Sequence, residues 1–356
     1  MNIGSRLAAG AASAALVFGL ATLGQAQELK TVNFMSSNDS TCSVYPQFVG
    51  QVLGFFEDEG IQLNMLSTST TVPYVAFLQN GDADIAMLDS AQVLQAAESN
   101  LPIKVVYEAY QHAPDGIYVL VDSPIKSLSD LKDMVIGMAS DRDQITTVIA
   151  LDSIGSTLEE RGLTTVVVGD SGPVMANALQ SGQIVAFAGS STDKAGIEAA
   201  GVMTRSITPA AVLRNPGNSF AVWGPTMEEK RPLIEGFLRG WAKAQHSGVL
   251  DDKIAGSTCK TKIPEQFEND EHGMNIIRNG VYVNQLRRTK DFGELQPDVW
   301  KAIQRPYVKQ GEIKAEIDPS VFLDSSFIAA ANDFTTDDVK KNMNAWAEAH
   351  PDLLIP

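Results

Sequence analysis

"FLQNGDADIAMLDS" (residues 77–90) reads as the end of a helix, a glycine, then a near-continuous apolar run that stops at Asp89 and Ser90. A short apolar run between turn residues fits a strand buried on both faces. Further along, "ALQSGQIVAFAGSS" (178–191) repeats this grammar. Leu78, Gln79 and Gly81 recur as Leu179, Gln180 and Gly182, and each copy ends in small polar residues. The recurrence implies two related α/β units in one chain.

The flanks extend the pattern. "TVNFMSS" (31–37) is rich in strand formers. "YPQFVGQVLGFFEDEG" (45–60) puts Phe48, Val49, Val52, Leu53 and Phe56 on one helical stripe, with Gly60 as its closing residue. "IQLNMLS" (61–67) predicts the next strand, and a helix through Val75 and Leu78 leads to the strand at 83–89. A helix from Ser90 leads to the strand "IKVVYEA" (103–109). Such alternation marks a mainly parallel sheet flanked by helices. It restarts at "SLSDLKDMVIGMAS" (127–140), where Ser127 and Asp130 form a capping-box pattern before the strand Val135–Met138. A helix over Ile145, Val148, Ile149 and Leu151, a strand at 164–170, a helix to Gln180 and a strand at 183–189 complete the second unit.

Two further strands, "GIYVLVDS" (116–123) and "SFAVWGP" (219–225), read as crossings between the units. A helical tail follows. Thr226 and Glu229 have capping-box spacing, and Ile234, Phe237, Leu238 and Trp241 form a stripe. Pro297 suits a first helical turn, and a last helix begins in "TTDDVKKNMNAWA" (335–347). Two crossings place residues 27–117 plus 220–356, tail included, in one lobe and residues 118–219 in a second, with a cleft between them.

The chain has 356 residues, is 44% hydrophobic and 20% charged, and so can bury a sizeable core. Its formal net charge of -16 argues against a nucleic-acid partner. Arg6, the apolar stretch Leu7–Leu23 and the small residues Gly24 and Ala26 form a secretory signal peptide over residues 1–26. Export makes a disulfide between Cys42 and Cys259 one open reading; two buried thiols are the other. No Cys/His cluster has metal-ligand spacing, and no cofactor is expected.

Ligands of open α/β sheets bind beyond the carboxyl ends of the strands. In this sequence those ends are the polar loops 36–45, 67–74, 89–92, 139–144, 169–173 and 189–194. They nominate Asn38, Asp39, Tyr45, Ser69, Thr70, Asp89, Ser90, Ser140, Asp141, Arg142 and Ser190 as ligand-binding residues, and Asn218 joins them from "LRNPGNS" (213–219), just before the return crossing. Free N–H groups at helix starts suit an anionic or hydrogen-bonding group, and Tyr45, Tyr74 and Tyr110 can wall the pocket. Arg142 fits a carboxylate or sulfonate, and Asp89 fits a donor. Each loop also has a purely local reading, since Ser, Thr, Asp and Asn are good N-caps.

Enzyme signatures are poor. Gly-x-Ser-x-Gly, P-loop and His-Glu-x-x-His patterns are absent. Of the four histidines only His112 falls near a crossing, and "GDSGP" (169–173) stands at a strand end without a partner histidine.

"GFFEDEGIQLNM" (54–65), "LQNGDADIAMLDS" (78–90), "KSLSDLKDMVIGM" (126–138), "LQSGQIVAFAG" (179–189) and "KQGEIKAEIDPSVFLDSSF" (309–327) together resemble the nitrate/sulfonate/taurine-type substrate-binding proteins of ABC transporters. That group includes proteins similar to thiamine-pyrimidine synthesis enzymes. The resemblance implies a two-lobed periplasmic-binding-protein fold (type II) with a two-strand hinge. It implies a monomeric periplasmic protein without catalysis that carries a small polar organic molecule, with an anionic group such as sulfonate or carboxylate, to a membrane permease. An enzyme of the same fold in pyrimidine or cofactor biosynthesis is the alternative. The loop "SSNDSTCSVYP" (36–46) departs from the family's sulfonate and nitrate patterns.

Overall fold

Strand and helix alternate as the apolar pattern requires. The computed structural model describes Met1 and residues 28–36, 41–67, 74–169, 172–287 and 289–356, without the side chain of Arg142. The signal-peptide segment lies outside the described residues after Met1. The strands are β1 (Lys30–Met35), β2 (Ile61–Leu66), β3 (Ile85–Asp89), β4 (Ile103–Glu108), β5 (Asp115–Leu120), β6 (Val135–Met138), β7 (Thr164–Val167), β8 (Ala186–Ser190), β9 (Thr204–Ser206) and β10 (Asn218–Trp223). The helices are α1 (Pro46–Val52), α2 (Tyr74–Asn80), α3 (Ser90–Glu98), α4 (Gln144–Asp152), α5 (Gly172–Gln180), α6 (Ser191–Ala199), α7 (Ala210–Leu213) and α8 (Gly224–Met227). The tail adds α9 (Arg231–Leu250), α10 (Asp252–Lys260), α11 (Asp270–Gln285), α12 (Pro297–Ala302), α13 (Gln304–Gln310), α14 (Ile328–Ala331) and α15 (Thr336–Ala349).

The strands form two five-stranded sheets of matching plan, β2-β1-β3-β10-β4 and β7-β6-β8-β5-β9. The repeated stretch occupies the middle of each, as β3 and β8. Gly81 (φ 79°) and Gly182 (φ 73°) turn the chain from helix into strand in both copies. That left-handed backbone is strained for any residue with a Cβ.

The expectation of mainly parallel sheets needs one refinement. β10 is antiparallel to β3 and β4, and β5 is antiparallel to β8 and β9. The two strands read as crossings are thus full members of the sheet they enter. Each arrives from the other half of the chain and runs against its neighbours. The connections themselves are the short segments 109–114 and 207–217.

The α9 stripe seals one face of the first sheet. Ile234, Phe237, Leu238 and Trp241 are at most 1% exposed. Phe220 of β10 meets Trp241 edge-on, with ring centroids 4.7 Å apart. Two local expectations fail for tertiary reasons. The helix expected to end at Gly60 stops at Val52, and Gly60 closes a separate 3-10 turn, Glu57–Glu59. Adjacent helical residues point about 100° apart, so unwinding lets both Phe55 and Phe56 reach the core, where both are fully buried. Thr226 lies inside α8 and its hydroxyl donates to the Trp223 carbonyl. It therefore caps nothing at α9, which starts later with a proline in its first turn.

Glu59 ties that turn to α9. Its carboxylate accepts from Arg239 Nε and Nη2 at 2.9 and 2.7 Å and from Lys243 Nζ at 2.7 Å. Burial raises the Glu59 pKa, but the bonds and charges of Arg239 and Lys243 outweigh it and hold the group below its ordinary value. A carboxyl lowered on folding stabilises fully above its unfolded pKa, and that stability is lost as pH falls through the folded value. Glu59→Gln is therefore expected to cost about 1–3 kcal/mol at neutral pH. The penalty should vanish in acid, below the ordinary carboxylate range. Urea titrations of both proteins across pH check this; a penalty unchanged in acid would contradict it.

Candidate binding cleft

Six polar loops leave the carboxyl ends of β1, β2 and β3 in one sheet and β6, β7 and β8 in the other. Within each sheet these three strands are parallel, so each set of loops shares one edge. The segments joining the sheets run side by side. Tyr110 N donates to the Asn218 carbonyl at 3.0 Å, and Gly217 N donates to the Tyr110 carbonyl at 2.8 Å. A Cβ at Gly217 would meet the His112 carbonyl at 2.9 Å, so the two segments are in contact. Each is also gripped by the start of a helix. Ser90 Oγ of α3 donates to the Pro216 carbonyl at 2.9 Å. Ser191 N of α6 donates to the Pro114 carbonyl at 2.8 Å.

This connection brings four polar residues to matched positions. Asp89 stands opposite Asn218 in the first sheet, and Ser190 stands opposite Asp115 in the second. Burial pushes the Tyr307 hydroxyl far above its ordinary pKa, and the charges of Asp89 and Asp115 raise it further. The charges of both acids thus reach one buried tyrosine of α13. Sequence reading nominated Asp89, Asn218 and Ser190 but missed Asp115. The available signal was the Pro-Asp-Gly sequence at 114–116, where β5 of the second sheet begins.

The other nominated residues divide. Ser90 is buried against the hinge, as described. Ser140 and Asp141 are exposed at the start of the second unit's first helix, and Arg142 shares their 3-10 turn, Asp141–Asp143. Asn38, Asp39, Ser69 and Thr70 lie outside the described residues. Tyr45 is a core residue: it is fully buried. Its hydroxyl donates to the Gln245 carbonyl at 2.7 Å and accepts from Asn284 Nδ2 at 3.2 Å. Burial, first of all, raises its pKa well above the ordinary tyrosine value. Tyr110 is likewise buried and Tyr74 half-buried, so of the three expected wall tyrosines only Tyr74 keeps appreciable exposure.

Three helix starts at this edge are partly capped by their own side chains. Asp89 accepts from Gln92 N at 2.8 Å. Asp143 accepts from Ser140 N at 2.8 Å, and Asp193 accepts from Ser190 N at 2.8 Å. Each is half of a reciprocal capping box. Carboxylates at these positions repel an anion and occupy donors it would need. Each box takes two of the four N–H groups free at its helix start, so three of the six loops offer an anionic group fewer donors than expected. Among the described residues no group of His, Cys, Asp and Glu is arranged to hold a metal ion. An open groove of about 620 Å³ between α9, α10 and α11 is lined wholly by tail residues and contains none of the nominated ones.

A sequence profile of the family described as NMT1/THI5 like matches residues 41–247. The chain belongs to that family. The riboflavin-binding protein RibY of Chloroflexus aurantiacus is 20% identical over 296 residues, covering 80% of this chain and 82% of RibY. The aliphatic sulphonate binding protein SsuA of Escherichia coli superposes with a TM-score of 0.61 at 14% identity, over 83% of this chain and 91% of SsuA. The desulfurization enzyme DSZB superposes with a TM-score of 0.58 at 14% identity, over 85% of this chain and 98% of DSZB. This NMT1/THI5-like chain therefore has the two-lobed fold of periplasmic binding proteins, a fold that also carries an enzyme. No helix among its described residues is long and apolar enough to cross a membrane.

Proposed function

We propose that the protein is an extracytoplasmic solute-binding component of an ABC importer, which captures a small polar organic molecule between its lobes and delivers it to a membrane permease. The observation that carries this reading is the hinge, with Asp89–Asn218 and Asp115–Ser190 on either side of it. A ligand contacting both pairs completes its hydrogen bonds only when the lobes meet, so binding favours the closed state. The lobes follow the expected division into residues 27–117 plus 220–356 and residues 118–219, shifted by two or three residues because Asp115–Ile117 already belong to β5 of the second sheet and Asn218–Ser219 to β10 of the first; the protein acts as a periplasmic monomer, and it carries no catalytic group. The ligand's anionic group, where it has one, is met by Arg142; its donors are met by Asp89 and Asp115.

Native mass spectrometry of gently purified protein tests this directly. A retained small molecule is the expected result. Turnover of a small-molecule pool by pure protein would instead favour an enzyme, as in DSZB. Titration with riboflavin and with an aliphatic sulfonate then separates a neutral planar ligand from an anionic one. Arg142→Ala is expected to weaken binding of an anionic ligand by about 1–3 kcal/mol, because the ligand's charge is left buried and unpaired. Asp89→Asn keeps the cap on α3 while removing the charge. It should weaken binding of a donor-bearing ligand by a similar margin, and unchanged affinity in both variants would remove these two residues from the site.

A further inference from the structure

The C-terminal tail touches both lobes outside the hinge. In α13, Tyr307 is buried, and the charges of Asp89 of β3 and Asp115 of β5 both reach its hydroxyl. From the same helix, Arg305 Nη2 lies 3.5 Å from Asp152 Oδ1, and Lys309 pairs with that same oxygen. Asp152 is the last residue of α4, which belongs to the second sheet's lobe. The chain just beyond α13 turns back to the first lobe. Gln95 Nε2 of α3 donates to Glu312 Oε2 at 2.9 Å, and Lys314 N donates to Glu98 of α3. Gln304 locks this turn through Ile317, donating to its carbonyl at 2.8 Å and accepting from its N at 2.6 Å. Trp300, Ile303 and Tyr307 share one buried cluster with Val93 and Leu94 of α3 and Ile149 and Leu151 of α4. A second tail helix, α11, packs on α6 of the second lobe.

We propose that residues 300–314 form a strap that holds the two lobes in the arrangement seen here and so regulates ligand affinity; this rests on the binding function proposed above. With α6 already seated on α11, the lobes are not free to approach further at that contact. Weakening the strap leaves separation as the available movement. The closed arrangement then loses population, and a ligand that needs both lobes binds less tightly. Arg305 and Lys309 are 62% and 46% exposed, so the ion pairs are partly screened and tune the equilibrium instead of locking it.

Solution scattering and hydrogen exchange of the ligand-free full chain test the strap without knowledge of the ligand. Asp152→Lys places three cations together and should shift the open-to-closed ratio about three- to ten-fold. The radius of gyration should rise, with faster exchange in residues 300–314. Combining Asp152→Lys with Arg305→Asp and Lys309→Asp restores opposite charges and should restore both signals. The milder Lys309→Gln should give a smaller change in the same direction. An unaltered radius in Asp152→Lys, or an increase the combined variant does not reverse, would overturn the proposal. Retained ligand with unaltered scattering removes the strap and leaves the binding function intact. Lobe separation with rescue, in a protein that turns its small molecule over, supports the strap and removes the binding function.

Discussion

Replacing Cys42 and Cys259 together by serine is expected to lower the stability of the oxidised protein by about 2–5 kcal/mol. The two cysteines form a disulfide with a Cα–Cα separation of 6.2 Å, across 217 residues of sequence. It joins the 3-10 turn Cys42–Val44, beyond β1, to α10 in the tail. Closing so long a loop removes many unfolded conformations, which places the effect near the upper end of the range in the chain-entropy account. Burial adds to the cost, since both cysteines are fully buried. Cys42 N also donates to Gln266 Oε1 at 2.7 Å, so the bridge and this bond anchor the loop together. Guanidinium unfolding of the double variant, compared with wild type under oxidising and reducing conditions, measures the effect. Equal stability of wild type and variant under oxidising conditions would mean that the bridge does not hold this loop in solution.

Glu108→Ala should be of similar severity, at about 3–5 kcal/mol, from stranded donors and a cavity together. Glu108 ends β4 and is 1% exposed. Its Oε1 accepts from Gln296 N and Trp300 Nε1, each at 2.9 Å, and its Oε2 accepts from Gln296 Nε2 at 2.8 Å. A carboxylate at the start of α12 thus meets donors the helix cannot satisfy itself. Alanine strands buried donors and opens a cavity beside Trp300. Glu108→Gln keeps the shape with one accepting oxygen and should cost less. A loss below about 1 kcal/mol for alanine, in urea unfolding followed by tryptophan fluorescence, would show that water replaces the carboxylate.

Much of the fold was legible because its signals are local. Gly81 and Gly182 announce the same turn in both units, and the α9 stripe follows helical period whatever it packs on. The cap at Ser127 depends only on residues three positions apart. The site was legible only in part. Asp89, Ser190 and Asn218 stand at strand ends, which the apolar runs reveal, whereas Asp115 becomes a candidate only through the register that sets it opposite Ser190. Tyr45 looked like a pocket wall because its neighbours are polar, but α9 and α11 close over it and supply its hydrogen bonds.

By itself, then, the sequence determined two α/β units, their polar edges and the helical tail, since periodicity and capping need no distant partner. Only the tertiary structure decided the antiparallel place of β5 and β10, the pairing of Cys42 with Cys259, the burial of Tyr45 and the reach of α13 to both lobes. Each of these depends on which elements meet. Sheet register and helix packing settle that between residues far apart in the chain, where no local preference acts.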